Sequence, residues 1–114
     1  MAYADLPHLL AAADVLVLPS LRDCWGMVVN EGLAAGLPVL GSCYAGAAVE
    51  LLRSPQLGRV FDPLDPADFD AALDAAVAGK CWGPGPDPAR RAGVAGYAPS
   101  DAAAALLRAI RPVQ

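Results

Sequence analysis

Leu6, Leu9, Leu10 and Ala13 recur at helical spacing, so residues 5–13 are expected to form a short amphipathic helix capped by Asp5. His8 falls at the surface or boundary of that helix. Residues 15–18 (VLVL) are a continuous apolar run without alternation, the pattern of a strand covered on both faces, and Pro19 and Ser20 end it. A polar loop, 20–26, carries Arg22, Asp23 and Gly26 before Met27 opens a second helix. Gly36 suits the left-handed position after that helix, and Pro38 follows two residues later. Residues 37–41 then read as a second strand, 47–53 as a brief helix and Gly58–Phe61 as a third strand closed by Asp62 and Pro63. Asp65 or Pro66 opens a helix in which Phe69, Leu73, Ala76 and Val77 share a face, and Gly79 stops it. The stretch WGPGPDP (82–88) is a Pro/Gly-rich linker expected to hold no regular structure. Two terminal helices follow, 88–96 and 100–111, the second capped by Ser100 with Leu106, Leu107 and Ile110 as its apolar stripe.

Helices alternating with short apolar strands predict an α/β fold, a Rossmann-like parallel sheet of three strands with flanking helices and right-handed crossovers. A complete doubly wound domain has about six strands. The first strand, VLVLP, looks central, yet nothing upstream can pair with it. Residues 1–114 are therefore expected to be the second half of such a domain, ending in terminal helices at 88–111 after the linker at 82–88.

Composition narrows the class. The chain has 114 residues, enough for one small domain, and much of its 56% hydrophobic content is alanine, as in closely packed helices. No run reaches the ~18 apolar residues of a membrane helix. The N-terminus has no basic segment followed by an apolar core and cleavage site. A net charge of -4 argues against nucleic acid or an anionic membrane surface as partner. Cys24, Cys43 and Cys81 are odd in number and widely spaced, and there is one histidine, His8. That pattern predicts neither a zinc site nor a disulfide framework, but free thiols in a cytoplasmic protein.

The chemistry concentrates in residues 19–46, PSLRDCWGMVVNEGLAAGLPVLGSCYAG, where a loop lies at the carboxyl end of a strand. A helix N-terminus presents unpaired backbone N–H groups and about half a unit of positive charge, so the junction Gly26, Met27, Val28 can seat a diphosphate. Gly26 lets the backbone approach a ligand. Glu31 lies one turn beyond Met27 on the same helical face, where its carboxylate can accept from two neighbouring hydroxyls such as those of a ribose. Asp23 would accept from sugar hydroxyls at the other end of the ligand. Singly, each has a plainer role: a solvated helix glutamate, a helix-capping aspartate, and a core tryptophan at Trp25.

Together, ADVLVLPS…RDCWGMVVNEGLAAGLPVLGS resembles the donor-binding signature of GT-B-fold retaining glycosyltransferases, the group related to sucrose and glycogen synthases. Its hallmark is Glu-x7-Glu, typically E-G-F-G-L-V-x-L-E-A-M-A-x-G-x-P-V. Asp23 stands for the first Glu, Cys24 and Trp25 replace Gly-Phe, and Glu31, Gly36 and Pro38 are in register. Residues 46–50 resemble the family's Gly-Gly-x-x-Glu turn, GRVFDPLD (58–65) its G-x-x-x-x-P-x-D segment, and RRAGVAGYAPSDAAAALLRAI its terminal helices.

The resemblance implies that Glu31 holds the ribose and Asp23 the transferred sugar. It places the amides of Cys24, Trp25 and Gly26 on the sugar and those of Met27 and Val28 on the diphosphate. Asp23 is one methylene shorter than the usual Glu. The basic pair that neutralises the diphosphate lies earlier in the family's domain, and Arg22 is not at its position. The implied reaction is retaining transfer from a nucleoside-diphosphate sugar to an acceptor, with no cofactor and no obligatory metal. The implied partner is an N-terminal half carrying the acceptor site, without which the chain is expected to be an inactive fragment. The competing expectations are a nucleotide-sugar epimerase of the same fold and a non-catalytic α/β remnant acting with a partner chain.

Overall fold

A computed structural model of the chain describes residues 2–78, 82 and 85–110. A 3-10 turn, Tyr3–Asp5, leads into α1, Leu6–Ala11, where the sequence predicts one helix. His8 is exposed on it, as expected. The chain continues as β1 (Leu16–Leu18), α2 (Met27–Ala34), β2 (Val39–Ser42), α3 (Gly46–Leu51) and β3 (Gly58–Phe61). It closes with α4 (Pro66–Val77), α5 (Pro88–Ala92) and α6 (Pro99–Ile110).

The three strands form one parallel sheet in the order β1-β2-β3. Leu16 pairs with Val39, and Val39 in turn with Gly58. Side chains alternate between two apolar layers, as the pleat requires. Val39 packs with Val29 and Leu33 of α2 and Ala47, Ala48 and Leu51 of α3, with Leu16, Leu18 and Val60 at the margin. Leu40 and Phe61 face the other way onto Ala72 of α4 and Trp82, joined by Val15, Val17, Phe69 and Leu73. The unbroken apolar strands are thus explained: both faces of the sheet are covered. All four residues of β2 are buried, whereas β1 is half-buried at the sheet's edge and pairs with β2 alone among the described residues. The central position suggested by VLVLP is not occupied here.

Local chemistry fixes most boundaries. Asp65 caps α4 by accepting from the N–H of Ala67 at 3.0 Å, and Pro66 takes the first helical position. Gly36 adopts φ +85° after α2, as its spacing to Pro38 implies. On α4 the expected apolar face is corrected at one position: Phe69, Leu73 and Ala76 pack inward beside Ala72, while Val77 is 87% exposed. Gly79, the expected stop, and Cys81 lie outside the described residues.

The described residues of the Pro/Gly stretch before Pro88 hold no helix or strand, as expected, yet the stretch is tied to the body: Trp82 is buried and its indole N–H donates to the Pro55 carbonyl at 2.7 Å. Downstream, Arg90 is only 3% exposed and donates to the carbonyls of Gly36 (2.9 Å) and Gln56 (3.0 Å). A buried guanidinium needs such compensation, and carbonyls just after α2 and just before β3 supply it. Ser100 is not the cap of α6, because that helix already begins at Pro99. Asp101 instead accepts from the N–H of Ala98 at 3.2 Å. Leu106 and Leu107, the expected stripe, are exposed, and the side chain of Ile110 lies outside the described residues.

Beneath β3, Asp68 accepts from the Asp62 N–H at 2.8 Å and pairs with Arg59 at 2.6 Å. The backbone donor of Asp62 leads, and Arg59 assists, in holding this carboxyl below the ordinary 3.8 against partial desolvation. A carboxyl depressed on folding contributes stability above its unfolded pKa and loses it as pH falls through the folded one. Asp68→Asn should therefore lower the melting temperature at neutral pH, and the gap to the parent should close below about pH 4. A gap of equal size at pH 7 and pH 3 would show that charge is not its source.

Candidate functional site

Beyond Leu18 the chain leaves the sheet and runs beside the segment that follows β2. Asp23 forms an isolated parallel bridge with Ala45, its N–H donating to the Tyr44 carbonyl at 3.2 Å. A second tie follows where the N–H of Ala47 donates to the Trp25 carbonyl at 2.7 Å. Gly46 makes this approach possible, since a Cβ there would lie 2.6 Å from the Cys24 carbonyl oxygen. Two loops at the carboxyl ends of β1 and β2 are thereby locked into one rim, where parallel α/β sheets bind ligands.

Within the rim, Asp23 is half-buried and its Oδ1 accepts from the Trp25 N–H at 3.3 Å. The amide of Trp25, expected to meet a sugar, is engaged by Asp23 in this structure. Trp25 serves the core as well as the rim. Its ring packs against the α2/α3 layer and stacks on Tyr97 at 6.0 Å, and its Nε1–H donates to Asn30 Oδ1 at 2.9 Å. Cys24 and Cys43 are exposed free thiols. Arg22 is exposed. Tyr44 lies on the same rim, and its phenol is held above the ordinary 10.0 by the charge of Asp62 first, then by burial and Cys43.

Gly26 is the turning point into α2. It is buried with φ +88°, a left-handed conformation that favours glycine, and an added Cβ would stand 3.2 Å from Leu18 and 3.5 Å from Asp23 Oδ2. No side chain caps α2 among the described residues. The amides of Met27 and Val28 therefore begin the helix without a side-chain acceptor, the arrangement that attracts an anion. Gly26, Met27, Val28 and Glu31 thus lie on one continuous turn and a half of backbone.

Glu31 is half-buried one turn on, and Tyr3 Oη–H donates to its Oε1 at 2.9 Å. Glu31 stands between two cavities. One, of about 470 Å³, lies between α1 and α2 and is lined by Tyr3, Leu6, Leu10, Ala34 and Arg91 with Glu31. The other, of about 220 Å³, is lined by Met27, Asn30, Val94 and Tyr97 with Glu31. Tyr3, Asn30 and Tyr97 were not singled out by sequence reasoning. Only Asn30 is near enough in the chain for helical spacing to have placed it beside the motif.

A parallel sheet covered on both faces, with a locked loop and an uncapped helix at its carboxyl edge, is a Rossmann-like α/β unit. Residues 1–96 match the family model described as glycosyl transferases group 1, and the chain belongs to that family. It is similar to the D-inositol 3-phosphate glycosyltransferase of Thermomonospora curvata, 39% identical over 62 residues that make up 54% of this chain and 14% of that protein. The Geodermatophilus obscurus protein of the same name is 37% identical over 67 residues, 59% of this chain and 15% of that protein. The Salinispora tropica protein is 32% identical over 88 residues, 77% of this chain and 16% of that protein. The chain thus spans 14–16% of the length of these curated relatives. No solved structure matches it. Among the described residues, no helix is long and apolar enough to cross a membrane.

Proposed function

We propose that this chain is the donor-binding region of a glycosyltransferase that moves a sugar from a nucleoside diphosphate to an acceptor hydroxyl with retention at the anomeric carbon. The observation that carries this reading is Glu31 one turn beyond an uncapped helix start that follows the left-handed Gly26. The amides of Met27 and Val28 take the diphosphate, Glu31 the ribose hydroxyls, and Asp23 with the amides of Cys24, Trp25 and Gly26 the sugar. The Trp25 N–H becomes available as Asp23 turns to accept from a sugar hydroxyl instead.

In the transfer, the bond between the anomeric carbon and the diphosphate oxygen breaks. A bond to the acceptor oxygen forms on the same face, and the acceptor proton passes to the departing diphosphate. The helix start stabilises the charge that develops on the leaving group, so the reaction proceeds without an obligatory metal. The edge of β1 that is unpaired among the described residues is, on this reading, where the sheet continues into a preceding half of the enzyme, which brings the basic clamp and the acceptor site. Neither the geometry nor the relatives favour an epimerase or a non-catalytic remnant.

The test is calorimetry on the full-length protein with UDP, GDP and ADP. Glu31→Gln should weaken the tightest of these by ~1.5–3 kcal/mol, the scale of a hydrogen bond to a charged group, or about 10- to 150-fold. Unchanged affinity would return Glu31 to the surface.

A further inference from the structure

Tyr3 is 80% exposed and lies 28 residues before Glu31, yet its hydroxyl donates to Glu31 Oε1 at 2.9 Å. A glutamate side chain left alone on a helix surface samples many rotamers, and fixing it costs entropy when a ligand binds. A hydrogen bond from a neutral phenol to a carboxylate is charge-assisted and directional. Among the described residues Glu31 makes no ion pair, so Tyr3 is the side chain that holds it. One bond uses only a part of the carboxylate's capacity, which is about four lone-pair sites. Both residues line the larger groove, so a ligand entering there meets the pair already formed. The phenol remains protonated across neutral pH, because its bond to Glu31 and the carboxylate's charge raise it above 10.0.

From this juxtaposition we infer that Tyr3 is a positioning residue of the donor site, fixing Glu31 through Oε1 so that Oε2 is preset to accept from a ribose hydroxyl. The inference rests on Glu31 being the ribose ligand. Pre-ordering a binding group raises affinity by removing a cost otherwise met on association. Tyr3 accordingly acts on donor binding and leaves the chemical step alone.

The experiment is a double-mutant cycle on the full-length protein, with UDP, GDP and ADP as calorimetric probes and donor KM and kcat measured alongside. Tyr3→Phe should weaken the tightest nucleotide about threefold to tenfold and raise donor KM by a similar factor, with kcat unchanged. In a Glu31→Ala background, where no side-chain acceptor is left for the phenol, the same substitution should have no further effect. Weakening by Glu31→Gln with none from Tyr3→Phe overturns the positioning role and leaves the ribose assignment standing. Equal losses from Tyr3→Phe in both backgrounds show that Tyr3 acts as a groove wall and not through Glu31. Tighter binding by Tyr3→Phe shows that it competes with the ribose. No effect of Glu31→Gln, or no binding of any of the three nucleotides, removes the ribose assignment and this inference with it.

Discussion

Gly58→Ala is expected to lower the melting temperature further than a methyl group added at any other described glycine. Gly58 opens β3 opposite Val39 with φ +150°, and a Cβ built there would stand 1.9 Å from the Val39 carbonyl oxygen. That contact is with the backbone of the central strand, which cannot rotate away as a side chain could. The Val39 amide is also bound to the Leu57 carbonyl at 3.0 Å, so moving either strand breaks the ladder. Backbone strain of this kind costs ~1–3 kcal/mol, and forced overpacking typically adds another ~1–3. The sum is a large part of the ~5–15 kcal/mol that holds a domain together. Gly96→Ala is the control: it too has positive φ, +91°, but no atom lies within 4 Å of its added Cβ. Its cost should be strain alone, and thermal unfolding followed by circular dichroism should separate the two variants by roughly 10 °C or more. Equal shifts would show that β3 can leave β2 at little cost.

The parts of the fold that could be read from the sequence are those set by neighbours in the chain. Gly58–Phe61 was legible because Val60 and Phe61 stand together between Gly58 and Asp62-Pro63, and α2 because Gly26 and Gly36 bracket it at a helix's length. What escaped is set by distant contacts. Trp82 stands among prolines and glycines, and only its bond to the Pro55 carbonyl reveals that the stretch is anchored. Arg90 has the pattern of a surface arginine, yet three turns of chain from different places bring carbonyls to it. Ser100 satisfies the local rule for a cap, but Pro99 can itself occupy a first helical position, and the helix starts there. The same division runs through the site. Asp23, Gly26 and Glu31 stand in one local motif, while the partners that hold them come from elsewhere: Tyr3 on Glu31, Tyr97 on Trp25 and Gly46 beneath Cys24.

Asp23→Ala should depress turnover with a sugar donor by about 100-fold while leaving the affinity for the free nucleoside diphosphate nearly unchanged. The magnitude is that of losing the orientation of a reacting group held at bonding distance. The split follows from the assignment of Asp23 to the sugar, because an interaction absent from the free nucleotide cannot contribute to its binding. A rival account comes from the structure itself: Asp23 Oδ1 accepts from the Trp25 N–H, so the carboxylate also shapes the turn that leads into α2. Under that account, removing it loosens the start of the helix, and nucleotide affinity falls together with turnover. Asp23→Asn separates the two. Its side-chain oxygen can still accept from Trp25 and preserve the turn, but it brings no negative charge to the sugar. Loss of turnover in both variants with nucleotide binding intact supports the sugar role. Turnover retained by Asp23→Asn and lost by Asp23→Ala, with nucleotide affinity falling in step, would make Asp23 a loop residue and leave the transferred sugar to the backbone amides of the rim.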